Sequence, residues 1–475
     1  MKIVMIASEA LPYVKTGGLA DVVSSLSREL ALKKEEVSVF IPLYNQVRDK
    51  LFNAIRILDL FVNLGWRNEG ANIYFELRDG VRYYFVENRH YFERENIYGY
   101  DDDGERFAFF NLAVIKAMEE INLSPDIIHL HDWQTGMIPC LLKENPKELF
   151  KNTKYVFSIH NPVFQGILEP YSLGDLYNLP SYIYESGKTR FYDRVSTLKA
   201  GIDYADKIVT VSPTHRNELL TSEGGMGLEK ALEYREYDFC GFLNGIDYNE
   251  FDPEFDNKIA VNYDVNSFAE NKPINKKELC KKLSLKNADA PLFSMISRVT
   301  WQKGMTLVFS AVHEIVKAGG NVIILGSGQK EYEQEMDRLH MLYPDQVAVY
   351  IGYNNNLAHE VYAGSDFFMM PSLFEPCGLS QMISQRYGTL PIIRRVGGLK
   401  DSVIIYDGNN GGEANGFGFD AFTEYEMIRT CLYAMEIYKN KELMNLLVKN
   451  ALLTDNSWKK RSEQYLGLYL DIAKK

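Results

Sequence analysis

Residues 2–30, KIVMIASEALPYVKTGGLADVVSSLSREL, join a short apolar run to a helical pattern through a loop that contains two adjacent glycines. The apolar residues of the second part recur at three- and four-residue intervals: Leu19, Val22, Val23, Leu26 and Leu30. That spacing is typical of one face of an amphipathic helix, and the run KIVMIA before it is typical of a buried strand. The stretch therefore predicts a strand, a loop and a helix, which is the basic unit of a parallel α/β fold.

The loop of this unit carries Lys15 and the glycine pair that ends at Gly18. Ligands of open α/β sheets bind at the carboxyl ends of the strands, where this loop lies. Glycines let a ligand approach the backbone, and the free N–H groups at a helix start favour an anion. A tight turn with a solvent-facing lysine is the alternative. The dinucleotide fingerprint G-x-G-x-x-G is missing here, which disfavours a dehydrogenase.

The alternation of strands and helices continues along the whole chain. Predicted strands in the first half lie at 2–8, 37–42, 81–88, 126–132, 155–160 and 207–213, and in the second half at 291–297, 321–326, 347–352, 366–372 and 390–395. Nearly continuous apolar strands separated by helices favour parallel sheets that are covered on both faces. We therefore expect an α/β protein with two doubly wound, Rossmann-like domains that face each other across a deep cleft.

The predicted domain junction lies near residue 245, at the start of the polar, turn-rich segment 244–276. We expect an N-terminal domain over 1–245 and a C-terminal domain over 246–456, with a last amphipathic helix over 457–475 that packs back on the first domain. Residues 189–205 are predicted to form one helix.

The composition excludes several classes of protein. The net charge is −12, and a nucleic-acid ligand normally requires a basic face. The five cysteines are scattered without a C-x-x-C pair, which favours reduced thiols in a cytoplasmic protein. No run approaches the roughly 18 apolar residues of a membrane helix. We expect a soluble protein without nucleic-acid or membrane partners.

Two loops of the second half repeat the cationic design of the first. SRVTWQKG (297–304) brings Arg298 and Lys303 after a strand, and RRVGGLKD (394–401) offers a glycine pair after another strand. Each loop alone is also compatible with surface cations. Together they favour a ligand with a diphosphate group, because cations and N–H groups converge on phosphate oxygens.

Three further segments place polar residues directly after apolar strands. HLHDWQTG (129–136) contains Asp132, SIHNPVFQG (158–166) contains His160, and SLFEPCGLSQ (372–381) contains Glu375. Their histidines lack a third partner at metal-ligand spacing, so we expect no metal site. A structural hydrogen bond is the alternative for each histidine, and a helix-dipole contact is the alternative for Glu375.

These segments, together with KTGGLADV, FLNGIDYNEFDP and RYGTLPIIRRVGGLKDSV, resemble the motifs of bacterial glycogen synthases and plant starch synthases, in the same order from residue 3 to about 470. The resemblance implies a retaining glycosyltransferase of the GT-B fold, with the N-terminal domain on the acceptor side and the C-terminal domain binding the nucleotide sugar. Such an enzyme transfers glucose from ADP-glucose to the non-reducing 4-OH of an α-1,4-glucan such as glycogen. It implies no metal and no other cofactor.

The resemblance also implies roles for individual residues. Catalytic roles are expected for Asp132, His160, Arg298, Lys303 and Glu375. Substrate-binding roles are expected for Lys15, Gly18, Asp21, Asn161, Asn244, Tyr353, Cys377, Gly378, Leu379, Gly397, Gly398 and Leu399. In this scheme Arg298, Lys303 and the amides at 397–399 hold the diphosphate, Asp132 and His160 line the sugar pocket, Asn161 faces the acceptor, and Tyr353 contacts the base.

Stereochemistry and donor choice are less constrained by the residues. Retaining glycosidases use two carboxylates about 5 Å apart, and the sequence offers no convincing pair of this kind. We therefore expect same-face attack, in which the acceptor hydroxyl gives its proton to the departing phosphate. UDP-glucose as the donor remains an alternative, as does a catalytically silent glucan-binding scaffold. The oligomeric state does not follow from the sequence.

Overall fold

The computed structural model of the chain describes residues 1–474. It divides into two compact units. The first contains residues 1–242 together with the C-terminal residues from 458 onward, and the second contains residues 243–457. The roles predicted for the two domains, acceptor binding and nucleotide-sugar binding, are not decided by this division and remain predictions.

The strands of the first unit form one large sheet and one small sheet. They are β1 (Lys2–Ile6), β2 (Glu36–Pro42), β3 (Ile55–Leu64), β4 (Arg67–Arg78), β5 (Val81–Glu87), β6 (Ile127–His131), β7 (Lys154–Ile159), β8 (Ile167–Leu168), β9 (Arg190–Phe191), β10 (Arg194–Ser196), β11 (Lys207–Thr210) and β12 (Phe239–Gly241). The nine-stranded sheet has the order β12-β11-β7-β6-β1-β2-β5-β4-β3.

Most pairs of this sheet are parallel, as the sequence predicts, but β4 runs antiparallel to both β3 and β5. The sequence did not predict the antiparallel pairs at this edge. β3 alternates exposed and buried residues over its second half, which is typical of an antiparallel strand with one face in water. A tight connection from Leu64 to Arg67 joins β3 to β4, so the two form a hairpin.

The helices of the first unit cover the sheet. They are α1 (Gly18–Leu32), α2 (Asn45–Arg48), α3 (Arg89–Phe92), α4 (Asp103–Glu120), α5 (Ile138–Glu144), α6 (Ser172–Tyr177), α7 (Tyr182–Glu185), α8 (Thr197–Tyr204), α9 (Pro213–Leu219) and α10 (Glu229–Tyr234). α1 buries Leu19, Val22, Val23, Leu26 and Leu30, the face that the sequence pattern predicts.

The helix predicted over 189–205 is shorter than expected. Its first part instead forms β9 and β10, and β10 pairs with both β8 and β9 in a three-stranded antiparallel sheet. The helix α8 begins only at Thr197. The Ser196 side chain accepts a hydrogen bond from the N–H of Lys199 and so caps α8 at its true start. Serine is a preferred helix N-cap residue, so Ser196 within the segment 189–205 was a signal that could have predicted the later start of the helix.

The second unit contains a six-stranded parallel sheet of order β15-β14-β13-β16-β17-β18. Its strands are β13 (Leu292–Ile296), β14 (Asn321–Gly326), β15 (Val347–Ile351), β16 (Phe367–Met370), β17 (Leu390–Arg394) and β18 (Phe417–Phe419). Its helices are α11 (Phe268–Lys282), α12 (Met305–Lys317), α13 (Lys330–Leu342), α14 (Asn355–Gly364), α15 (Ser380–Arg386), α16 (Gly397–Ser402), α17 (Glu424–Tyr438) and α18 (Lys441–Leu453).

The start of α11 lies inside the segment that appears turn-rich from sequence. This helix buries Lys272, whose ammonium group donates to the carbonyl oxygens of Ala363 and Tyr387 at 2.9 and 3.0 Å and to the Thr389 hydroxyl at 2.8 Å. Burial lowers the pKa of this lysine to about 7. The contact is polar, so hydrophobic periodicity cannot reveal it.

The last helix, α19 (Trp458–Ala473), packs against α1 and belongs to the first unit. It buries Trp458, Tyr465, Tyr469 and Ile472 in the core of that unit. None of the helices within residues 1–474 is both long and apolar enough to cross a membrane.

Candidate functional site

A pocket of about 180 Å³ lies at the carboxyl ends of β13 and β16 in the second unit. Its wall contains Arg298, Lys303, Glu375, Gly378 and Leu379, five of the residues predicted from sequence. The carboxyl ends of parallel strands lie at the same edge of a sheet. Residues about 80 positions apart, such as Arg298 and Leu379, therefore line one small pocket.

Lys303 and Glu375 form the charged pair of this pocket. The Lys303 ammonium group lies 2.5 Å from Oε2 of Glu375, and the Ser372 hydroxyl donates to the same oxygen at 2.9 Å. Both charged side chains are largely buried, at 14% and 10% exposure. A pair with this little access to water is weakly screened, so each group fixes the position of the other.

A short 3₁₀ turn, Trp301–Lys303, places Lys303 at this position. The turn ends at Gly304, where φ is +72° and a Cβ atom would lie 2.2 Å from the carbonyl oxygen of Pro371. Only glycine fits both the left-handed backbone and the close approach. Arg298 lines the same pocket from an exposed position.

The glycine pair that begins α16, after β17, packs on the segment that carries Glu375. Cβ atoms at Gly397 and Gly398 would lie 2.1 Å from the Glu375 carbonyl oxygen and 2.2 Å from the Cys377 carbonyl oxygen. The amide of Gly398 donates to Glu375 O at 3.1 Å, and the amide of Leu399 donates to Val396 O at 3.1 Å. A phosphate contact by these two amides would have to share or replace these bonds.

Cys377 and Gly378 follow Glu375 in a turn that is held by a buried glutamine. The Gln381 amide donates to the carbonyl oxygens of Cys377 and Gly378 at 3.2 and 3.0 Å. Gly378 has φ +73°, and Leu379 precedes the first residue of α15. These residues therefore fix the backbone of the pocket wall.

Two residues of the second unit with predicted substrate-binding roles lie outside the 180 Å³ pocket. Tyr353 is 72% exposed, and its hydroxyl donates to Oδ1 of Asn355 at 2.9 Å. Asn244 is buried, and its Oδ1 has no hydrogen-bond partner among the described residues. Neither residue is among those that line the 180 Å³ pocket.

In the first unit, Asp132 and His160 come together at the ends of β6 and β7. Oδ1 of Asp132 accepts hydrogen bonds from the amides of His160 at 2.7 Å and Asn161 at 3.5 Å. Asp132 has φ +57°, a conformation that non-glycine residues adopt only where neighbours hold it. Burial raises the pKa of its carboxyl group to about 7, although the two amides oppose this.

A row of buried histidines supports this pair. Nε2 of His160 lies 3.0 Å from Nδ1 of His131, and Nδ1 of His129 lies 2.6 Å from the hydroxyl of Tyr469 in α19. Burial lowers the pKa of His160 to about 4 and that of His129 to about 3. These imidazoles are therefore neutral at pH 7. Sequence reasoning had assigned roles to neither His129 nor Tyr469.

The first loop of the chain places Lys15 at the start of α1. Its ammonium group pairs with Asp21 at 2.7 Å and remains 45% exposed on its side chain. A Cβ atom at Gly18 would meet nothing within 4 Å, so open space adjoins the backbone there. The Thr16 hydroxyl donates to Glu9 at 2.6 Å, which ties this loop to the end of β1. The Glu9 contact was not foreseen from sequence.

Within residues 1–474, no group of three or more histidine, cysteine or acidic side chains is arranged to hold a metal ion.

Two family models match the chain. The model of the starch synthase catalytic domain matches residues 2–234, and the model of glycosyl transferases group 1 matches residues 276–451. The chain is therefore a glycosyltransferase, as predicted.

Two relatives of known family narrow the assignment within the glycosyltransferases. The chain is 43% identical to a glycogen synthase of Clostridium botulinum and 42% identical to one of Streptococcus mutans, in each case over the full length of both chains. It belongs to the family of bacterial glycogen synthases and plant starch synthases.

Solved structures agree with this family. The catalytic domain of starch synthase IV from Arabidopsis thaliana, bound to ADP and acarbose, has a TM-score of 0.92 and 31% identity and covers 100% of this chain and 99% of its own. A sucrose-phosphate synthase from Thermosynechococcus elongatus shares the fold at a TM-score of 0.61 and 16% identity, with 99% and 98% covered. The predicted α/β class and GT-B fold are thereby confirmed, and the chain acts in glycosyl transfer for glycogen synthesis.

Proposed function

We propose that the chain transfers glucose from ADP-glucose to the non-reducing-end 4-OH of an α-1,4-glucan with retention of configuration. One observation carries this proposal: the buried Lys303–Glu375 pair in a pocket at the strand ends of the second unit, with Arg298 in the same wall. The related starch synthase, whose structure contains ADP, supports an adenine nucleotide as the leaving group.

The reaction needs positive charge where the nucleotide departs. Cleavage of the bond between C1 of glucose and the phosphate oxygen leaves an additional negative charge on the diphosphate. Lys303 and Arg298 stabilise this charge more strongly in the transition state than in the ground state, and this difference accelerates the reaction. Glu375 holds Lys303 in place and accepts a hydrogen bond from a sugar hydroxyl.

Residues of the first unit bind the glucose and the acceptor in this proposal. Asp132 and His160 form the wall of the sugar pocket, and their mutual hydrogen bond fixes both. Asn161 faces the acceptor, and Lys15 with Gly18 contacts the phosphate and sugar region. Residues of the second unit complete the donor site in this proposal. Tyr353 contacts the base and Asn244 contacts the sugar. The backbone amides of Gly397, Gly398 and Leu399 donate hydrogen bonds to the diphosphate once the donor is bound.

Retention follows from attack on the same face of the sugar. The described residues that line the 180 Å³ pocket include one carboxylate, Glu375, and its Oε2 is already occupied by Lys303 and Ser372. This favours proton transfer from the acceptor hydroxyl to the departing phosphate oxygen over a carboxylate nucleophile. The backbone carbonyl of His160 faces the cationic carbon in this scheme. The reaction uses no cofactor, and its place is the cytoplasm.

The test is the chemical outcome of the reaction. With ADP-glucose and glycogen, we expect stoichiometric release of ADP and incorporation of glucose that β-amylase removes as maltose, because that enzyme cleaves α-1,4 bonds from non-reducing ends. Glucose that stays free in solution, or a product resistant to β-amylase, would contradict the proposed reaction.

A further inference from the structure

Two imidazoles at the ends of neighbouring strands of the first unit share a hydrogen bond. His131 is the last residue of β6, and His160 directly follows β7. Nδ1 of His131 lies 3.0 Å from Nε2 of His160, and the ring centroids are 5.3 Å apart. This is a hydrogen-bond distance, so one of the two nitrogens carries a proton and the other accepts it.

Both rings are neutral, so a single proton lies between them. Burial lowers the pKa of His131 well below its ordinary value, and the neighbouring imidazoles lower it further. Burial alone lowers the pKa of His160 to about 4. A neutral imidazole has one N–H group and one bare nitrogen. The direction of the shared hydrogen bond therefore fixes the tautomer of both rings.

The second nitrogen of His131 distinguishes the two directions. Its Nε2 is buried and has no hydrogen-bond partner among the described residues. If His160 donated, the only proton of His131 would lie on this Nε2, and a buried N–H group would remain unpaired. If His131 donates, Nε2 is a bare nitrogen instead. Unpaired N–H groups are rarer in protein interiors than acceptors with unused capacity, so donation by His131 is favoured.

The same direction determines which group His160 presents to a ligand. If its Nε2 accepts, its own proton lies on Nδ1. The His160 side chain is half-buried. Within residues 1–474 its Nδ1 makes no hydrogen bond, and this atom is not among the buried polar atoms that lack a partner. An N–H donor is therefore accessible at this position of the first unit.

We propose that His131 is a positioning residue for the transfer reaction: it donates its Nδ1–H to Nε2 of His160 and holds His160 as the tautomer with a proton on Nδ1. The proposal rests on the proposed role of His160 in the sugar pocket. In this tautomer His160 donates to an oxygen of the ligand, whereas a bare Nδ1 could only accept. His131 is fully buried, so it acts through His160.

The position of His131 is itself fixed by the end of β6. Its backbone amide donates to the Thr135 hydroxyl at 2.8 Å, and the same hydroxyl donates to its carbonyl oxygen at 3.0 Å. The adjacent Asp132 accepts a hydrogen bond from the amide of His160 at 2.7 Å. The two histidines are thus joined through both their backbones and their rings, which holds the shared hydrogen bond in one geometry.

Nitrogen-15 NMR of the full chain, labelled in histidine, tests the tautomer directly. The chain has eight histidines, and comparison with His160→Gln identifies the signals of His160. We expect its proton on Nδ1 at pH 7. A proton on Nε2, or a cationic ring, would overturn the proposal. The sample contains neither nucleotide sugar nor glucan, so a failure of the proposed reaction would leave this result intact.

Kinetics of two substitutions test the positioning role. His131→Leu keeps an apolar side chain and removes the donor, so kcat/KM should fall about tenfold, the effect of one lost hydrogen bond. His131→Asn places a side-chain N–H where Nδ1 lies and should restore most of the activity. His313→Leu is the matched control, because it removes a hydrogen bond to the Tyr343 hydroxyl in the second unit and should leave the rate unchanged.

A double-mutant cycle separates positioning from a purely structural role. If His131 acts through His160, His131→Leu should cost almost nothing further in a chain that already carries His160→Ala. Fully additive losses would overturn the proposal, as would an asparagine variant as impaired as the leucine variant. Circular dichroism identifies any variant that does not fold, and the NMR measurement on the wild type decides the tautomer in that case.

Discussion

Lys303 is the residue on which the proposed chemistry depends most directly. Its ammonium group is largely buried and has a carboxylate partner at 2.5 Å, so its position is fixed before the donor arrives. Lys303→Ala should lower kcat/KM about a hundredfold or more, the size seen when a donor to a developing anion is removed. Initial rates with ADP-glucose and glycogen measure this.

The control for this change lies on the next helix. Lys317 is exposed at the end of α12 and pairs only with Glu314 among its described contacts, so Lys317→Ala should retain full activity. Circular dichroism of both variants separates loss of chemistry from loss of folding. A Lys303→Ala variant that is folded and fully active would contradict the role of Lys303 in stabilising the departing diphosphate.

His129 makes stability depend on pH. It is fully buried, and burial lowers the pKa of its imidazole to about 3. Below about pH 6.5 the unfolded chain binds a proton that the folded chain does not. The stabilising contribution is thus complete above that pH and is lost as the pH falls toward 3, by about 2 kcal/mol between pH 6.5 and 5.

Urea unfolding at about pH 7 and about pH 5 measures this loss. His129→Gln should reduce the difference between the two pH values by about 2 kcal/mol, and His90→Gln, at an exposed position, should leave it unchanged. An equal acid-induced loss in the wild type and in His129→Gln would contradict the assignment.

Individual residues of the candidate site could be predicted from sequence where a charged or titratable side chain follows an apolar strand. Asp132, His160, Lys303 and Glu375 each follow a strand, and the structure brings them together in two pairs. Tyr469 could not be found, because its contact with His129 spans 340 positions and a tyrosine on an amphipathic helix is usually only a core residue. The roles of all these residues in catalysis remain predictions.

At the level of elements, the start of α16 depends on close packing of glycine. A Cβ atom at Gly398 would lie 2.2 Å from the Cys377 carbonyl oxygen, and this contact is with backbone that cannot move freely. Gly398→Ala should lower the free energy of unfolding by about 1–3 kcal/mol and should also lower kcat/KM, since the shifted segment carries Glu375.

Gly412→Ala is the matched control, because a Cβ atom there meets nothing within 4 Å. Denaturant unfolding and initial rates should show no change for it. If Gly398→Ala behaved like Gly412→Ala in both assays, the packing account of this loop would be wrong.

The terminal helix α19 is tied to the sheet by a buried polar contact. The Tyr469 hydroxyl lies 2.6 Å from Nδ1 of His129, and Tyr469→Phe leaves that nitrogen without its partner. We expect a loss of about 1–3 kcal/mol in unfolding free energy. Tyr237→Phe, at a position that is 99% exposed, should cost nothing measurable. Equal stability of the two variants in urea would argue against the contact.

The elements that sequence predicted well are those with apolar periodicity. β14 was expected over 321–326, and the strand has these bounds. The β3–β4 hairpin was missed because its strands are half exposed, and α11 was missed because half of its buried residues are polar. Hydrophobic periodicity is weak in such elements, although each also contributes apolar residues to a core.

At the scale of the whole molecule, a chain of net charge −12 can hold an anionic donor only where positive charge is concentrated locally. In the second unit, Arg298 and Lys303 supply such charge to the wall of the 180 Å³ pocket. The comparisons over the full chain length fix the family, but donor selectivity depends on a few contacts and stays a proposal.

The central claim is therefore tested most directly by the donor. Initial rates of the wild-type chain with glycogen as acceptor, measured with ADP-glucose and with UDP-glucose, give kcat/KM for each. The account predicts a preference for ADP-glucose of about a hundredfold, as a site that pairs with one base discriminates against another. Equal rates, or a preference for UDP-glucose, would contradict it.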